Sequence, residues 1–308
     1  MSRSTISTFQ LFEMFPDPES ARLFLESRIW PDGVTCPHCK SRERVGKQPK
    51  VGFYRCNFCL LDFTVRTGTI FERSHIPLHK WIYAMYLLVT ARKGISSMQL
   101  GKEIGVSQKS AWFMLQRLRE ACSAPDSIDK LKGVVELDEC FIGGKEGNKH
   151  EYKKLHAGRG AVGKTAVLGM RERGGRTLTT TLAMRSLPAV TDHIHGNIEL
   201  GTQLYTDDHV LFNDLDGLFF RHDAVNHSAG EYARGDASTN SIESVWALLK
   251  RGVYGVYHKV SPKHLHLYLN EFDFRLNEGN VKRHSLERLD SMIAAVVGKR
   301  LTYARLTA

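Results

Sequence analysis

The chain has 308 residues, 42% hydrophobic and 25% charged, the balance of a folded soluble protein with room for two or three domains. Its 43 Lys and Arg outnumber 33 Asp and Glu, giving a net charge of +10 that favours polyanionic partners such as nucleic acid. No apolar run approaches the ~18 residues that span a bilayer. Met1-Ser2-Arg3-Ser4-Thr5 lacks the apolar core of a signal peptide, and no polybasic block or basic amphipathic helix argues for a membrane surface. Export and membrane binding are therefore not expected.

Residues 1–30 read as short helical segments, because Phe9, Phe12 and Phe15, then Ala21, Phe24 and Leu25, recur at helical intervals and Asp17-Pro18-Glu19-Ser20 is a helix start. The turn Trp30-Pro31-Asp32-Gly33 opens the next segment, 31–75. It holds Cys36-Pro37-His38-Cys39 and, after sixteen intervening residues, Cys56-Asn57-Phe58-Cys59, with strands expected near 51–55 and 63–65. Each Cys-x-x-Cys sets two thiolates on one tight knuckle, and Cys36, Cys39, Cys56 and Cys59 together complete a tetrahedral Zn²⁺ shell. Unrelated buried cysteines or a redox pair are the bland alternatives, and two matched pairs beside turn residues and aromatics outweigh them. Strands this short bury little core, so the metal supplies much of the local folding energy. The spacing argues for structural zinc but not for a purpose, since such ribbons bind DNA, RNA or protein. His38 is expected at the surface, and Cys122 and Cys140 as packing residues.

Residues 76–125 turn helical, with Trp81, Met85, Leu88 and Val89 in one stripe. A helix, a tight turn and a second helix follow over 95–118, a helix-turn-helix pattern. Gly105 suits the positive φ of a sharp turn and Ser107 an N-cap. Leu100, Ile104, Ala111, Leu115 and Leu118 are expected to pack the pair, leaving Gln108, Lys109, Gln116 and Arg117 for DNA edges or phosphates. A plain helical hairpin is the competing reading.

From 133 to 225 strands dominate: 133–142, 165–173, 177–185, 202–207 and 219–225, with helices near 190–199 and 209–216. Helices over 239–257 and 263–276 and a basic tail, 286–308, complete the chain. Three acids stand out. Asp138 lies in Val134-Val135-Glu136-Leu137-Asp138, Asp207 ends Leu204-Tyr205-Thr206-Asp207, and Glu243 lies on a helix whose buried stripe is Ile242, Val245, Trp246 and Leu249. Strand alternation sets Asp138 on the opposite face from Glu139. Converging carboxylates form a hard oxygen-ligand site for Mg²⁺ or Mn²⁺, and Lys250, two turns after Glu243, can hold a phosphate beside it, with Arg251 next to it. Any one of these acids alone reads as a cap or a solvated charge. Together, in a basic chain, they point to metal-assisted phosphodiester chemistry.

At these residues the chain resembles insertion-sequence transposases of bacteria and archaea that join an N-terminal zinc ribbon to an ISXO-like DDE catalytic domain. The resemblance runs through Trp30-Pro31-Asp32-Gly33-Val34-Thr35-Cys36-Pro37-His38-Cys39, Glu136-Leu137-Asp138-Glu139, Tyr205-Thr206-Asp207 and Thr239-Asn240-Ser241-Ile242-Glu243-Ser244-Val245-Trp246. It extends to Tyr268-Leu269-Asn270-Glu271-Phe272 and covers roughly residues 10–280. It implies an α/β, RNase H-like fold over 130–285, with acids on the first and fourth strands and on a late helix. It further implies Mg²⁺-dependent cleavage at the ends of a mobile element, transfer of 3′-hydroxyls into target double-stranded DNA, a homo-oligomer on paired ends, and a cytoplasmic, nucleoid-associated prokaryotic protein. The third active-site residue is Glu243 or Asn240, with charge favouring Glu243, and His227 also fits the family pattern. A DNA-binding regulator without catalysis and an RNase H-like nuclease without joining activity are the competing functions.

Overall fold

The computed structural model describes residues 5–124, 129–144, 146–155, 161–183, 186–208, 212, 215, 221–226, 229–231, 233–279 and 283–308. The chain forms two compact units, Met1–Ser123 with Glu278–Ala308, and Ala124–Asn277.

The first unit opens with α1 (Thr8–Met14) and α2 (Pro18–Ile29), each started by a capping box, at Ser7/Gln10 and Asp17/Ser20. A three-stranded antiparallel sheet follows, β1 (Val45–Lys47), β2 (Tyr54–Cys56) and β3 (Asp62–Phe63). Three helices come next: α3 (Leu78–Thr90), α4 (Ser97–Ile104) and α5 (Gln108–Ala121). The α4–α5 turn forms as its residues dictate. Gly105 sits at φ +63, and the Ser107 hydroxyl accepts from the Ser110 N–H. A Cβ on Gly101 would lie 3.0 Å from the Val106 carbonyl oxygen, so its glycine lets the turn close tightly on α4.

The second unit is a mixed five-stranded sheet, β4 (Val134–Ile142), β5 (Thr165–Glu172), β6 (Thr177–Leu182), β7 (Gln203–Asp207) and β8 (Arg221–Val225), in the order β6-β5-β4-β7-β8. β4, β5 and β6 pair antiparallel, whereas β7 and β8 run parallel to β4. A core under one face gathers Val135, Leu137, Leu168 and Leu204 with Val190 and Ile194 of α6 (Leu187–Asn197). A second core lies on the opposite face, where Cys140, Ile142 and Val167 meet Ile242, Val245, Trp246 and Leu249 of α7 (Asn240–Gly252) and Leu265, Leu269 and Phe272 of α8 (Leu265–Glu278). The helix expected near 209–216 lies largely outside the described residues.

The C-terminal stretch differs from expectation. Residues 286–308, expected as a basic tail, are part of the first unit. There α9 (Ser285–Ala295) buries Leu289, Met292 and Ile293, and α10 (Tyr303–Thr307) buries Leu306. The Arg288 guanidinium donates to the Val89 carbonyl at 3.0 Å, and Gly298 N–H to the Gly68 carbonyl at 2.8 Å. Four Lys and Arg against two acids make this stretch basic, but the apolar stripe between them decides its fate. Among the described residues no helix is long and apolar enough to cross a membrane.

Candidate active site

The parallel ladder pairs Val134 with Gln203 and Glu136 with Tyr205. Carried forward two residues, this register sets Asp138 and Asp207 level on neighbouring strands, on the face that α7 covers. Asp138 lies opposite Gly169 in the β4–β5 ladder. A Cβ at Gly169 would stand 2.5 Å from two indole carbons of Trp246 and 2.8 Å from Ile242 Cδ1, so glycine is what lets α7 settle this close to the sheet. The Trp246 Nε1–H then donates to Asp138 Oδ2 at 2.8 Å, while the Glu139 N–H donates to Asp138 Oδ1 at 2.7 Å. Burial pushes the Asp138 carboxyl up to about 6, the charges of Asp207 and Glu243 add to the rise, and the two hydrogen bonds oppose it.

Glu243 is exposed in the first turn of α7, where the Thr239 hydroxyl donates to its Oε1 at 3.3 Å. Asn240 is the first residue of the helix and is also exposed. Lys250 extends from the last turn to the Cys140 thiol, two residues beyond Asp138 on the same face of β4. Burial pushes that thiol up to about 11, and the Lys250 ammonium pulls against the rise. Arg251 is exposed and bonds the Ala247 carbonyl of its own helix. The three carboxylates interact electrostatically without sharing a ligand shell: among the described residues, the four cysteines alone bring three or more metal-ligating side chains within 4.8 Å of one another. As a donor set, three carboxylate groups with mutual repulsion suit Mg²⁺ or Mn²⁺, which would draw them together.

Sequence reasoning missed Glu136. It is 1% exposed, and one oxygen accepts from the backbone N–H groups of Ser241 at 2.8 Å and Ile242 at 3.0 Å, in the first turn of α7. The other oxygen accepts from Arg173 Nε at 3.1 Å and Nη2 at 3.0 Å. Arg173 also donates to the Asp236 and Ser238 carbonyls and packs over the Tyr205 ring. A carboxylate on the free N–H groups of a helix start is favoured by both hydrogen bonding and the helix dipole. Glu136 thereby fixes where α7 begins, and with it the place of Glu243. The available signal was alternation, since Glu136 and Asp138 share a face of one apolar strand.

In the ribbon, Cys36 Sγ lies 3.6 Å from Cys59 Sγ, and Cys39 Sγ 3.5 Å from Cys56 Sγ. Tetrahedral Zn²⁺ with bonds of about 2.3 Å needs sulfur separations of about 3.8 Å, so the four thiols fit the ion. The two knuckles are built alike: Lys40 and Leu60, each directly after a second cysteine, take left-handed φ of 63° and 61° and bond back to the Cys36 and Cys56 carbonyls. The backbone N–H of Cys59 leads in pulling the Cys56 thiol down to about 6, toward the thiolate that binds metal. Trp30, Tyr54 and Phe63 pack against one another beside the thiols, and the Tyr54 hydroxyl donates to Glu26 of α2 at 2.8 Å. His38 is exposed, and Cys122 and Cys140 are buried, as expected.

On α5 the expected DNA-facing set divides. Gln108 and Lys109 are exposed, the first donating to Ser97 Oγ at 2.8 Å and the second standing over the Tyr303 ring. Gln116 and Arg117 are buried, contrary to expectation. The Arg117 guanidinium donates to the carbonyls of Leu301, Ile70 and Glu72 at 3.2, 2.9 and 3.1 Å. The C-terminal segment covers the face of α5 that the isolated helix pair would leave open. His227 lies outside the described residues.

These two sites belong to known domain types. A transposase zinc-ribbon domain matches residues 16–60, and an ISXO2-like transposase domain matches residues 130–277. An uncharacterized protein in transposable element ISH50 of Halobacterium salinarum is 30% identical over 268 residues, covering 83% of this chain and 89% of that protein. The chain belongs to this family of insertion-sequence transposases with a zinc ribbon and a DDE domain. The ribbon match starts before the expected boundary at 31 and takes in α2, in keeping with the Tyr54–Glu26 bond. Crystal structures of a pre-cleavage Mos1 transpososome and of the Mos1 strand transfer complex align over 72% of this chain and 80% and 79% of theirs, at 12% and 13% identity. Their TM-scores of 0.20 and 0.19 are too low to support any structural argument.

Proposed function

We propose that this chain is the active transposase of its element, with an RNase H-like catalytic unit that cleaves DNA at the element's ends and transfers the 3′-hydroxyls into target DNA. One observation carries the reading. A half-buried acid on the sheet's first strand, Asp138, is raised to about 6 by desolvation, with contributions from an acid on the fourth strand, Asp207, and one on a later helix, Glu243. A folded protein that only bound DNA would gain nothing from this repulsion, whereas a divalent cation relieves it. Asp138, Asp207 and Glu243 would hold Mg²⁺ or Mn²⁺. Once bound, such ions activate the attacking oxygen and stabilise the leaving oxygen of an in-line displacement.

The chain's own groups divide the remaining work. Trp246 and the Glu139 N–H hold the Asp138 carboxylate in one orientation, Glu136 sets the helix that presents Glu243, and Lys250 neutralises a phosphate at the mouth of the site. Glu243 takes the third position, because its charge acts on Asp138 and a carboxylate balances a divalent ion better than the Asn240 amide. The ribbon and the exposed start of α5, with Gln108 and Lys109, engage duplex DNA, and paired ends call for a multimer. A plasmid carrying the element's ends, incubated with target DNA and Mg²⁺, tests the proposal. Asp138→Ala and Asp207→Ala should each abolish cleavage and joining while end binding persists. Strand transfer at wild-type rate by either variant would overturn it, and cleavage without joining by the wild-type chain would favour a nuclease.

A further inference from the structure

At the far end of β4 a cavity of about 670 Å³ opens between the glycine-rich exit of that strand, the entry to β5 and the segment after α7. Gly143, Gly144 and Lys164 line one wall, and Tyr254, His258 and Lys259 the other. The cavity is lined by no carboxylate among the described residues. Tyr254 is 49% exposed, and its hydroxyl approaches the Gly143 carbonyl at 3.4 Å. The wall bearing it is unusual: α7 ends in a π-helical turn, Val253–Tyr257, and His258 then takes a positive φ of 59°. Such π turns cost hydrogen-bond geometry and are frequent at functional sites. On the opposite wall Gly143 has φ +155, and a Cβ there would stand 3.1 Å from Lys164 Cα, so the strand exit presents bare backbone. Among the described residues between the strands, Lys149, Lys153, Lys154 and Lys164 stand against Glu146 and Glu151, and Tyr152 is 80% exposed, stacked on His150. An aromatic face, two lysines, exposed backbone and a basic approach are the elements of a single-stranded nucleic-acid subsite.

We propose that this cavity receives one unpaired nucleotide of a DNA strand, with its base on Tyr254 and its phosphate between Lys164 and Lys259. The volume lies in the range that encloses small ligands. A duplex, whose major groove alone is about 12 Å wide, is too broad for a cavity of about 670 Å³. Ile142 lies about 13 Å along β4 from Asp138, on the same face, so a strand cut at the acids places a nucleotide a few positions away at the cavity. The inference rests on the reading of this chain as a DNA-processing transposase, but not on any of the three acids being catalytic.

The test uses the full-length, zinc-loaded chain without Mg²⁺, a blunt duplex, and the same duplex with a short single-stranded tail containing 5-iododeoxyuridine. Irradiation should crosslink the tail to the peptide carrying Tyr254–His258, as mapped by mass spectrometry. Tyr254→Ala should lose that crosslink and weaken the tailed duplex about tenfold, leaving the blunt duplex unchanged. Tyr254→Phe should retain both, and Lys259→Glu should weaken the tailed duplex selectively. Equal affinity for both duplexes, or an undiminished crosslink in Tyr254→Ala, would overturn the proposal. Asp138→Ala separates the two readings. Loss of strand transfer in that variant with the crosslink kept supports both, whereas strand transfer by the wild-type chain with no crosslink at Tyr254 refutes the cavity alone.

Discussion

Replacing Trp246 with Phe removes one hydrogen-bond donor from Asp138 while keeping an aromatic ring over Gly169. A hydrogen bond to a charged acceptor contributes about 1.5–3 kcal/mol, and at 1.36 kcal/mol per unit its loss should raise the carboxyl by about one to two further pKa units. The Asp138 carboxyl already stands at about 6, so the variant's would lie near 7–8, at working pH. In the metal-free chain the sign follows from linkage. The folded pKa exceeds the unfolded value, so the stability contributed by protonated Asp138 is complete below about pH 4 and is lost as pH rises through the folded pKa. Trp246→Phe should therefore cost little more than packing at pH 5 and about 1–3 kcal/mol more at pH 8, read from urea unfolding. At subsaturating Mg²⁺, where proton and metal compete for Asp138, the acid limb of the pH–rate profile for cleavage should shift upward in the same direction. An equal stability loss at both pH values, with an unshifted rate profile, would refute the role assigned to the indole N–H.

The buried Asp273 of α8 accepts from the Thr179 N–H at 2.7 Å and from its hydroxyl at 3.0 Å, and burial pushes its carboxyl up to about 8. Its folded pKa is raised, so its contribution is full below about pH 4 and disappears as pH climbs to 8. Asp273→Asn should flatten the fall in urea midpoint between pH 5 and 9, and a fall parallel to wild type would count against this. Arg117→Ala removes the donor from two buried carbonyls, Leu301 and Ile70, and one half-buried, Glu72, and should cost about 2–4 kcal/mol of stability. Lys109→Ala should leave the melting temperature unchanged and weaken duplex DNA binding, so the opposite assignment of these effects would contradict the geometry of α5. Chelation or Cys56→Ser should release one Zn²⁺ per chain and unfold the ribbon, seen as lost protection from hydrogen exchange across β1–β3; retained protection would show that the aromatic cluster suffices without metal.

Much of this protein is written in local chemistry. Paired Cys-x-x-Cys knuckles, a Gly105-then-Ser107 turn and two-residue alternation around Asp138 each depend on neighbours within a few positions, so the ribbon's knuckles and two of its three strands, the α4–α5 pair and the five strands of the second unit follow from sequence alone, whereas β1 was not expected. The position of the first two acids followed in the same way, because an acid ending an apolar strand is conspicuous. Long-range partners were hidden. Gln116 and Arg117 looked exposed because helical periodicity describes one helix pair, whereas Arg117 is held by the carbonyls of Ile70 and Glu72 and of Leu301, the last more than 180 residues away. The C-terminal stretch looked like a tail because its net positive charge stood out, whereas the stripe of Leu289, Met292 and Ile293 docks it on distant segments. Glu136 looked like one more strand residue until α7 folded over it and offered two free N–H groups. Sequence determined which residues are the candidates, since each local pattern is an energetic preference of adjacent residues. Tertiary structure decided which of them meet and which are buried, because that depends on surfaces contributed by distant segments, and Trp246 over Gly169 reaching Asp138 is the contact on which the candidate site turns.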